Sequence, residues 1–352
     1  MRKRWSGCSS VRICRTSTTS ACLPGSFTAD IASRGVARRP SPDGRRAVLP
    51  ELSRNRRGER NAENGSIPVI VKKKAVIITA DDFGMWPEVN DAVLAANDAG
   101  VVSSAALRVS APAAHAAMVA AAARSELDVG LHLVLCDGRA TLPHRHIPNL
   151  VDRSGRFPEG PLEAAWLYRR RGGLREELKA EIRAQIEKFL AAGLFLSFVS
   201  SHHHLHLHPT VIGILEELAR DYPISAIRKP CGALLASTVR LSVSHWQRTA
   251  ERLAMKPVLG WGRLRSRRFV GPDRVEPLAT ERPVTEYDVA NRLRRLPAGV
   301  TELVCHPGSL APRYDGVGEA AAVTSSVVSD ALDEDGIELI SYRDLAEGRG
   351  PA

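Results

Sequence analysis

Residues 75–84 read AVIITADDFG, an almost wholly apolar run that ends in two carboxylates, a phenylalanine and a glycine. A continuous apolar run of this length predicts a strand buried on both faces, as in a parallel sheet. The segment Pro87–Ala99 follows, with proline in its first turn and Gly100 at its end, and this pattern predicts a helix. The stretch therefore indicates a strand that crosses over through a helix to the next parallel strand.

The same alternation continues along the chain. Further strands are predicted at Ser103–Val109, Leu127–Leu135, Leu194–Ser201, Ala226–Arg228, Val300–Cys305 and Ile337–Ile340, and further helices at Pro112–Arg124, Leu174–Leu190 and Pro209–Asp221. Strands that alternate with helices favour parallel pairing and right-handed crossovers. With about seven such units over roughly 270 residues, we predict an α/β fold, a distorted (β/α) barrel of parallel strands rather than an open sheet.

The two carboxylates of the opening stretch lie where such a barrel places its chemistry. The carboxyl ends of barrel strands, with the loops that follow them, form the active site. Neighbouring strand residues point to opposite sides, so one of Asp81 and Asp82 would bind a cation while the other reaches a different atom of the same site. The alternative is local turn chemistry, in which Asp82 caps the following helix.

A row of histidines follows another predicted strand. Residues 200–209 read SSHHHLHLHP and contain five of the chain's eleven histidines. If the strand continues, its period of two places His202, His204, His206 and His208 on one face. Neutral imidazole is a common transition-metal ligand, so the row is a candidate metal and catalytic edge. The alternative is a surface segment that binds metals adventitiously.

Three more polar residues lie in or after predicted strands, namely His132, Arg228 and His306. Asp82, His132 and His202 together would form an open three-ligand set, which is typical of catalytic rather than closed metal sites. Taken singly, His132 is more often a hydrogen-bonded core residue, and His306 is equally a turn residue. Arg228 either holds a substrate oxygen or balances the carboxylates.

The basic charge belongs mostly to the amino-terminal part of the chain. The 352 residues have a net charge of +10, and residues 1–70 are rich in Arg, Ser, Pro and Gly without sustained periodicity, so we predict disorder there. A nucleic-acid arm and a transit peptide are alternatives, but we favour a wrongly chosen start codon, with translation beginning near Val71. One domain then covers residues 71–348, with residues 231–275 as a candidate insertion.

Cysteines and apolar runs exclude two classes of protein. The six cysteines form no CxxC pair, so neither a zinc knuckle nor a disulfide framework is indicated. No run of about eighteen apolar residues is present, so the sequence predicts no membrane-spanning helix. We expect a reduced, cytoplasmic setting and no nucleic-acid partner.

The chain resembles the YdjC-like carbohydrate deacetylase family in four motifs that occur in this order: ADDFG at 80–84, GLHLVL at 130–135, SHHHLHLHP at 201–209 and CHPG at 305–308. The stretches at 137–143, 147–157 and 208–211 make it more similar to the hopanoid-biosynthesis branch of that family, HpnK. The resemblance covers about residues 72–345. It implies a distorted (β/α) barrel related to polysaccharide deacetylases.

The resemblance also implies residue roles. One divalent metal ion, magnesium or zinc, would be bound by Asp82, His132 and His202; Asp81 would act as general base and His306 as general acid. Substrate contacts are assigned to Arg228, His204 and Phe83. Relatives usually have Asp or Asn two residues before the first ligand histidine, where this chain has Ser200, so we expect a less firmly oriented site.

The implied substrate is an N-acetylated amino sugar or glycolipid, specifically an N-acetylglucosaminyl hopanoid. Residues 240–270 interleave tryptophans with arginines, and such segments suit anionic membrane surfaces, so we expect peripheral contact with the inner membrane face; a solvated insertion is the alternative. A homodimer is one expected assembly. Competing functions are deacetylation of soluble oligosaccharides, a metal-dependent phosphoesterase, and a metal-binding protein without catalysis.

Overall fold

The computed structural model describes residues 73–169, 173–230, 257, 260–262, 264–278, 284–311, 314–334 and 336–349. The predictions for residues 1–70 and for most of the candidate insertion at 231–275 lie outside the described residues. Among the described residues, no helix combines the length and the apolar character that crossing a bilayer requires.

The strands form one parallel sheet. They are β1 (Lys74–Phe83), β2 (Ser104–Leu107), β3 (Asp128–Leu133), β4 (Phe198–Ser201), β5 (Ala226–Ile227), β6 (Arg274–Pro277), β7 (Gly299–Cys305) and β8 (Ile337–Leu339). Seven of them lie side by side in the order β5-β4-β3-β2-β1-β7-β6, and β8 pairs with the first residues of β1. The prediction of about seven parallel strands is confirmed.

Helices connect the strands and cover the sheet. They are α1 (Pro87–Asp98), α2 (Ala114–Ala122), α3 (Pro161–Tyr168), α4 (Gly173–Ala191), α5 (Pro209–Leu218), α6 (Glu286–Arg294), α7 (Gly316–Val323), α8 (Ser326–Glu334) and α9 (Tyr342–Ala346). The predicted helices agree with α1, α2, α4 and α5 to within a few residues. Helix α3 and the four helices after β6 are not among the predicted elements.

The sheet curls into a distorted barrel. Val270, just before β6, forms an isolated parallel bridge with Ala226 of β5, which brings the two edges of the sheet toward each other. Strand β1 is buried from Ala75 to Phe83, as its apolar sequence predicts. Because the strands are parallel, their carboxyl ends lie at one edge, and this edge carries the polar side chains that the sequence singled out.

The histidine row does not continue β4 as a strand. His202–Leu207 form a 3₁₀ segment in which His203 and His204 have φ values of 54° and 56°. The prediction that alternate histidines share one strand face is therefore wrong. Left-handed backbone turns the chain sharply at these two residues, so the histidines point in several directions.

Candidate active site

The candidate site lies at the carboxyl edge of the central strands. Asp81 and Asp82 lie near the end of β1, His132 lies near the end of β3, and His202 follows β4 directly. His306 follows β7 in the same way. The topology thus brings together residues from four separate stretches of sequence.

A β-bulge places the two neighbouring carboxylates in the same site. The register between β1 and β2 shifts between Ala80 and Phe83, and Asp82 has a φ of 63°. A bulge redirects a side chain that would otherwise point to the opposite face. Both Asp81 and Asp82 therefore face His132, whose Nδ1 lies 3.9 Å from Asp81 Oδ1 and whose Nε2 lies 3.8 Å from Asp82 Oδ1.

Asp82, His132 and His202 converge as the sequence predicts. Each offers one ligand atom, and these three atoms lie within 4.8 Å of one another. All three residues are buried, and the His132 and His202 rings approach edge to face with centroids 6.1 Å apart. The spacing would allow one ion to contact all three atoms.

His132 is oriented as a metal ligand requires. Its Nδ1 lies 2.9 Å from Ser200 Oγ, its partner on the adjacent strand β4. If Nδ1 carries the proton and donates it, Nε2 presents its lone pair toward Asp82. Nε2 is buried and has no hydrogen-bond partner in the protein. Burial lowers the pKa of His132 to about 4, so the ring is neutral near pH 7.

Ser200 therefore has a definite place in the site. A serine at this position predicts a less firmly oriented site. In the structure its hydroxyl lies at hydrogen-bond distance from the ring of His132. The orphaned, buried Nε2 and the neighbouring carboxylate of Asp82 are a donor set that fits a divalent cation.

Arg108 is a further residue of the site and is not among the residues predicted from the sequence. It is 3% exposed, and its Nη1 donates to Asp82 Oδ1 over 3.0 Å. The guanidinium balances the buried carboxylate charge. The sequence does offer a signal for Arg108, because it is a charged residue within an otherwise apolar predicted strand.

Asp81 is held by a buried arginine. Arg228 is fully buried and donates to both oxygens of Asp81, over 2.6 and 2.8 Å. Its remaining donors reach Glu302 of β7, which also accepts the Tyr342 hydroxyl over 2.7 Å. Burial raises the pKa of Asp81, but the Arg228 charge, helped by His132 and His306, offsets this and leaves the pKa lowered.

This geometry favours one of the two interpretations of Arg228. Its guanidinium faces Asp81 and Glu302 and is closed to solvent, so the charge-balancing interpretation fits and contact with a substrate oxygen does not. Glu302 and Tyr342 were not foreseen as parts of this network. The sequence does offer a signal for Glu302, because it is a charged residue within the predicted apolar strand at 300–305.

His306 lies on the other side of Asp81. Its Nε2 is 4.0 Å from Asp81 Oδ2, and its side chain is 15% exposed. Its ring stacks on Tyr314 with centroids 3.5 Å apart, and its backbone N–H donates to Glu319. The ring thus lies at the accessible margin of the site, within reach of Asp81.

The remaining histidines of the row differ in their surroundings. His206 is fully bonded, with Nδ1 2.8 Å from Ser201 Oγ and Nε2 2.8 Å from the carbonyl oxygen of Arg228. His204 is buried, and both of its ring nitrogens lack a hydrogen-bond partner. The structure therefore assigns His206 a packing role and leaves His204 available for a ligand.

The predicted substrate contact of Phe83 is wrong, because its side chain is fully buried in the main apolar core. Its position in the ADDFG motif is explained by packing, because after the bulge its side chain joins the apolar cluster that also contains Ile78 of β1 and Val89 of α1.

Known proteins support this architecture. A curated carbohydrate deacetylase of Geobacillus stearothermophilus is 32% identical over 284 residues, covering 76% of this chain and 97% of the relative. A second, from Brevibacillus brevis, is 38% identical over 149 residues, covering 42% of this chain and 57% of the relative.

A solved structure from Enterococcus faecalis V583, of a protein with a proposed role in cellobiose-phosphate cleavage, superposes with a TM-score of 0.58. It is 26% identical in sequence, and the match covers 78% of this chain and 99% of that one. The family model described as YdjC-like protein matches residues 75–334, which include the whole candidate site. The chain therefore belongs to the YdjC-like protein family.

Proposed function

We propose that this protein is a metal-dependent carbohydrate deacetylase that removes the N-acetyl group from an amino sugar. The observation that carries the proposal is the convergence of Asp82, His132 and His202 beside Asp81, a carboxylate outside the three-residue set. The names of the curated relatives support the carbohydrate deacetylase activity.

The donor set suits zinc, cobalt or manganese, and the family resemblance adds magnesium. A divalent ion held by Asp82, His132 and His202 would polarise the acetyl carbonyl and lower the pKa of water. Arg108, which donates to Asp82, would fix the orientation of that carboxylate.

The other residues supply proton transfer. Asp81 accepts the proton of the attacking water, whose oxygen forms a bond to the acetyl carbon, and Arg228 holds Asp81 by two hydrogen bonds. His306 donates a proton to the sugar nitrogen as the carbon–nitrogen bond breaks. The products are acetate and a free amino sugar.

For the substrate we propose the N-acetylglucosaminyl head group of a hopanoid, on the strength of the HpnK-like motifs. A cleft of about 700 Å³ beside the histidine row supports contact with an anionic surface. It is lined by five arginines: Arg169, Arg175, Arg220, Arg265 and Arg268. Trp166 and Trp261 are 67% and 43% exposed, and Arg169 and Arg265 lie over their rings.

The proposed setting is accordingly the cytoplasmic face of the inner membrane, with peripheral contact. Arg265 also pairs with Glu216 and Arg175 with Glu217, so the cleft keeps an excess of positive charge. The predicted docking residues Trp246, Arg248, Arg252, Leu259 and Arg263 lie outside the described residues. Flotation with anionic and with neutral vesicles tests the contact. We expect binding to anionic vesicles that weakens with salt and in Trp261→Ala; equal recovery with both vesicle types would contradict it.

Acetate release tests the reaction. Lipid-linked and soluble N-acetylglucosamine conjugates are incubated with the full chain, with and without chelator. We expect release that stops on chelation and returns with added zinc or magnesium. Faster turnover of the soluble conjugate would favour the oligosaccharide alternative, and metal binding without acetate release from either would indicate a non-enzymatic metal protein.

Asp81→Asn tests the role of the general base. The substitution keeps the side-chain size and leaves the ligand set intact, so we expect metal binding to persist while kcat falls about 10²- to 10⁴-fold. Full activity in this variant would exclude Asp81 as the base.

A further inference from the structure

A second group of ligand-type side chains lies next to the candidate active site. Cys136, Asp137 and His203 each offer one ligand atom, and the three atoms lie within 4.8 Å of one another. Cys136 and Asp137 follow β3, and His203 follows His202 in the 3₁₀ segment. The rings of His202 and His203 have centroids 4.2 Å apart, so the two groups are neighbours.

The spacing of this group matches a small tetrahedral ion. His203 Nε2 and Asp137 Oδ2 are 3.2 Å apart. Ligand atoms about 2.0–2.1 Å from a tetrahedral ion are separated by about 3.3 Å. The observed pair therefore needs little movement to bind one ion, and the Cys136 sulfur lies within 4.8 Å of both atoms.

A backbone hydrogen bond and burial hold these side chains in place. The backbone N–H of Gly160 donates to Asp137 Oδ1 over 2.9 Å, which leaves Oδ2 directed toward His203. Cys136 is fully buried, and the side chain of His203 is 5% exposed. A hydrogen-bonded outer carboxylate oxygen and a shielded sulfur are typical of metal sites.

The backbone at two of the three residues is in a costly conformation. Asp137 has a φ of 49° and His203 a φ of 54°. Left-handed backbone at residues other than glycine is uncommon and concentrates at functional sites. Both side chains are brought into the group by these conformations.

We propose that Cys136, Asp137 and His203 bind a second metal ion, a thiophilic transition metal such as Zn²⁺. A thiolate, a carboxylate and an imidazole form a set that suits zinc or cobalt and not magnesium, and that leaves one tetrahedral position open. This site is chemically distinct from the first, because Asp82, His132 and His202 include no sulfur. The proposal does not depend on the deacetylase function.

Sulfur provides the test. Apo full-length protein is titrated with Co²⁺ alone, and absorption is followed in the near ultraviolet, where thiolate-to-cobalt charge transfer appears. We expect this band in the wild type and in Asp82→Asn, which removes a ligand of the first site only. Binding requires the thiolate, so the band should grow with release of protons.

Three variants make the assignment specific. Cys136→Ser is close in size and should abolish the band, and His203→Asn, which tolerates a positive φ, should weaken or abolish it. The matched control is Cys305→Ser, since Cys305 is also a fully buried cysteine and should leave the band unchanged. Bound zinc should fall from about two ions per chain to about one in Cys136→Ser and in Asp82→Asn alike.

Two results would overturn the proposal. One is a wild-type protein that shows no charge-transfer band at saturating Co²⁺, in which case His203 and Asp137 form only an ion pair. The other is a band of full height in Cys136→Ser, which would place the sulfur ligand elsewhere in the chain. Loss of deacetylase activity with the band retained would concern the first site alone.

Discussion

Two buried polar clusters in this barrel look alike in composition and differ in how their hydrogen bonds are satisfied. In α4, Glu181 accepts from the backbone N–H groups of Thr141 and Leu142, both over 2.8 Å. Gln185 exchanges two bonds with the backbone of Val134 and donates to Glu181 over 2.8 Å. In the candidate active site, by contrast, His132 Nε2 and both ring nitrogens of His204 are buried without a hydrogen-bond partner.

The unpartnered ring nitrogens are groups that a bound ligand would complete. A buried polar group without a partner costs stability, so its presence beside a ligand-type set is informative. The α4 cluster is complete and ties the loop after β3 to the helix. Its burial raises the pKa of Glu181, although the hydrogen bonds that it accepts oppose that shift. We therefore expect substitutions in the two clusters to affect different properties.

The largest effect is expected from Asp82→Asn. Loss of the carboxylate ligand should remove about one metal ion per chain and reduce acetate release by at least about 10³-fold. Metal content and kcat/KM are measured together. The matched control is Asp98→Asn, whose carboxylate forms an exposed pair with Arg124 and should leave both unchanged. Normal turnover in Asp82→Asn would contradict the proposed site.

Glu181→Ala should show the opposite pattern. It leaves the Thr141 and Leu142 N–H groups and one Gln185 donor without their partner, so we expect a loss of about 3 kcal/mol in the free energy of unfolding. The metal affinity of material that remains folded should be unchanged. Urea unfolding measures the first quantity and equilibrium dialysis the second. Glu177→Ala, at a more exposed position that bonds Asn149, is the control with a small expected effect. A loss of metal binding without loss of stability would invalidate the comparison.

The histidine row allows the same comparison within one segment. His206→Asn removes hydrogen bonds to Ser201 and Arg228 and should destabilise the fold by about 2 kcal/mol. His204→Asn removes no protein hydrogen bond, and asparagine tolerates the φ of 56°, so the unfolding free energy should change by less than about 1 kcal/mol. Turnover should nevertheless fall in His204→Asn. Equal destabilisation by both substitutions would show that the unpartnered ring nitrogens of His204 do not distinguish a ligand-binding role from a packing role.

The smallest effect concerns Asp128, at the amino end of β3, far along the strand from the site. Burial raises its pKa to about 6, despite hydrogen bonding from Arg343. A raised folded-state pKa means that Asp128 contributes most below its unfolded pKa of 3.8 and loses that contribution as pH rises through 6. Relative to Asp128→Asn, the wild type should lose about 1 kcal/mol between about pH 5 and about pH 7. A pH-independent difference between the two unfolding curves would rule this out.

Much of the fold is present in simple sequence patterns. The apolar run at 75–80 marks the central strand, because a strand covered on both faces has no polar side, and Pro87 with Gly100 marks the limits of the first helix. The ligand set also follows from position: residues at the carboxyl ends of parallel strands meet at one edge. Asp82, His132 and His202 illustrate this rule.

Other features depend on tertiary context. The bulge that turns Asp82 toward Asp81 and the 3₁₀ turn of the histidine row are set by positive φ values at residues with no preference strong enough to predict them. The buried charge pairs do leave a trace in the sequence, because Arg108 and Glu302 are charged residues inside predicted apolar strands. Their partners, however, lie 26 and 74 residues away and are fixed only by the folded topology.

Strand β5 has only two residues, yet the residue that follows it joins three parts of the molecule. Arg228 contacts the proposed base through its guanidinium, β7 through Glu302, and the histidine segment through its own carbonyl oxygen. Substitutions made after Pro230 to change substrate specificity would therefore lie close in sequence to a residue that links these three parts. A lysine at position 228 would keep the backbone carbonyl contact, but its single ammonium group would replace a guanidinium that bonds both Asp81 and Glu302, so changes to specificity should leave Arg228 in place.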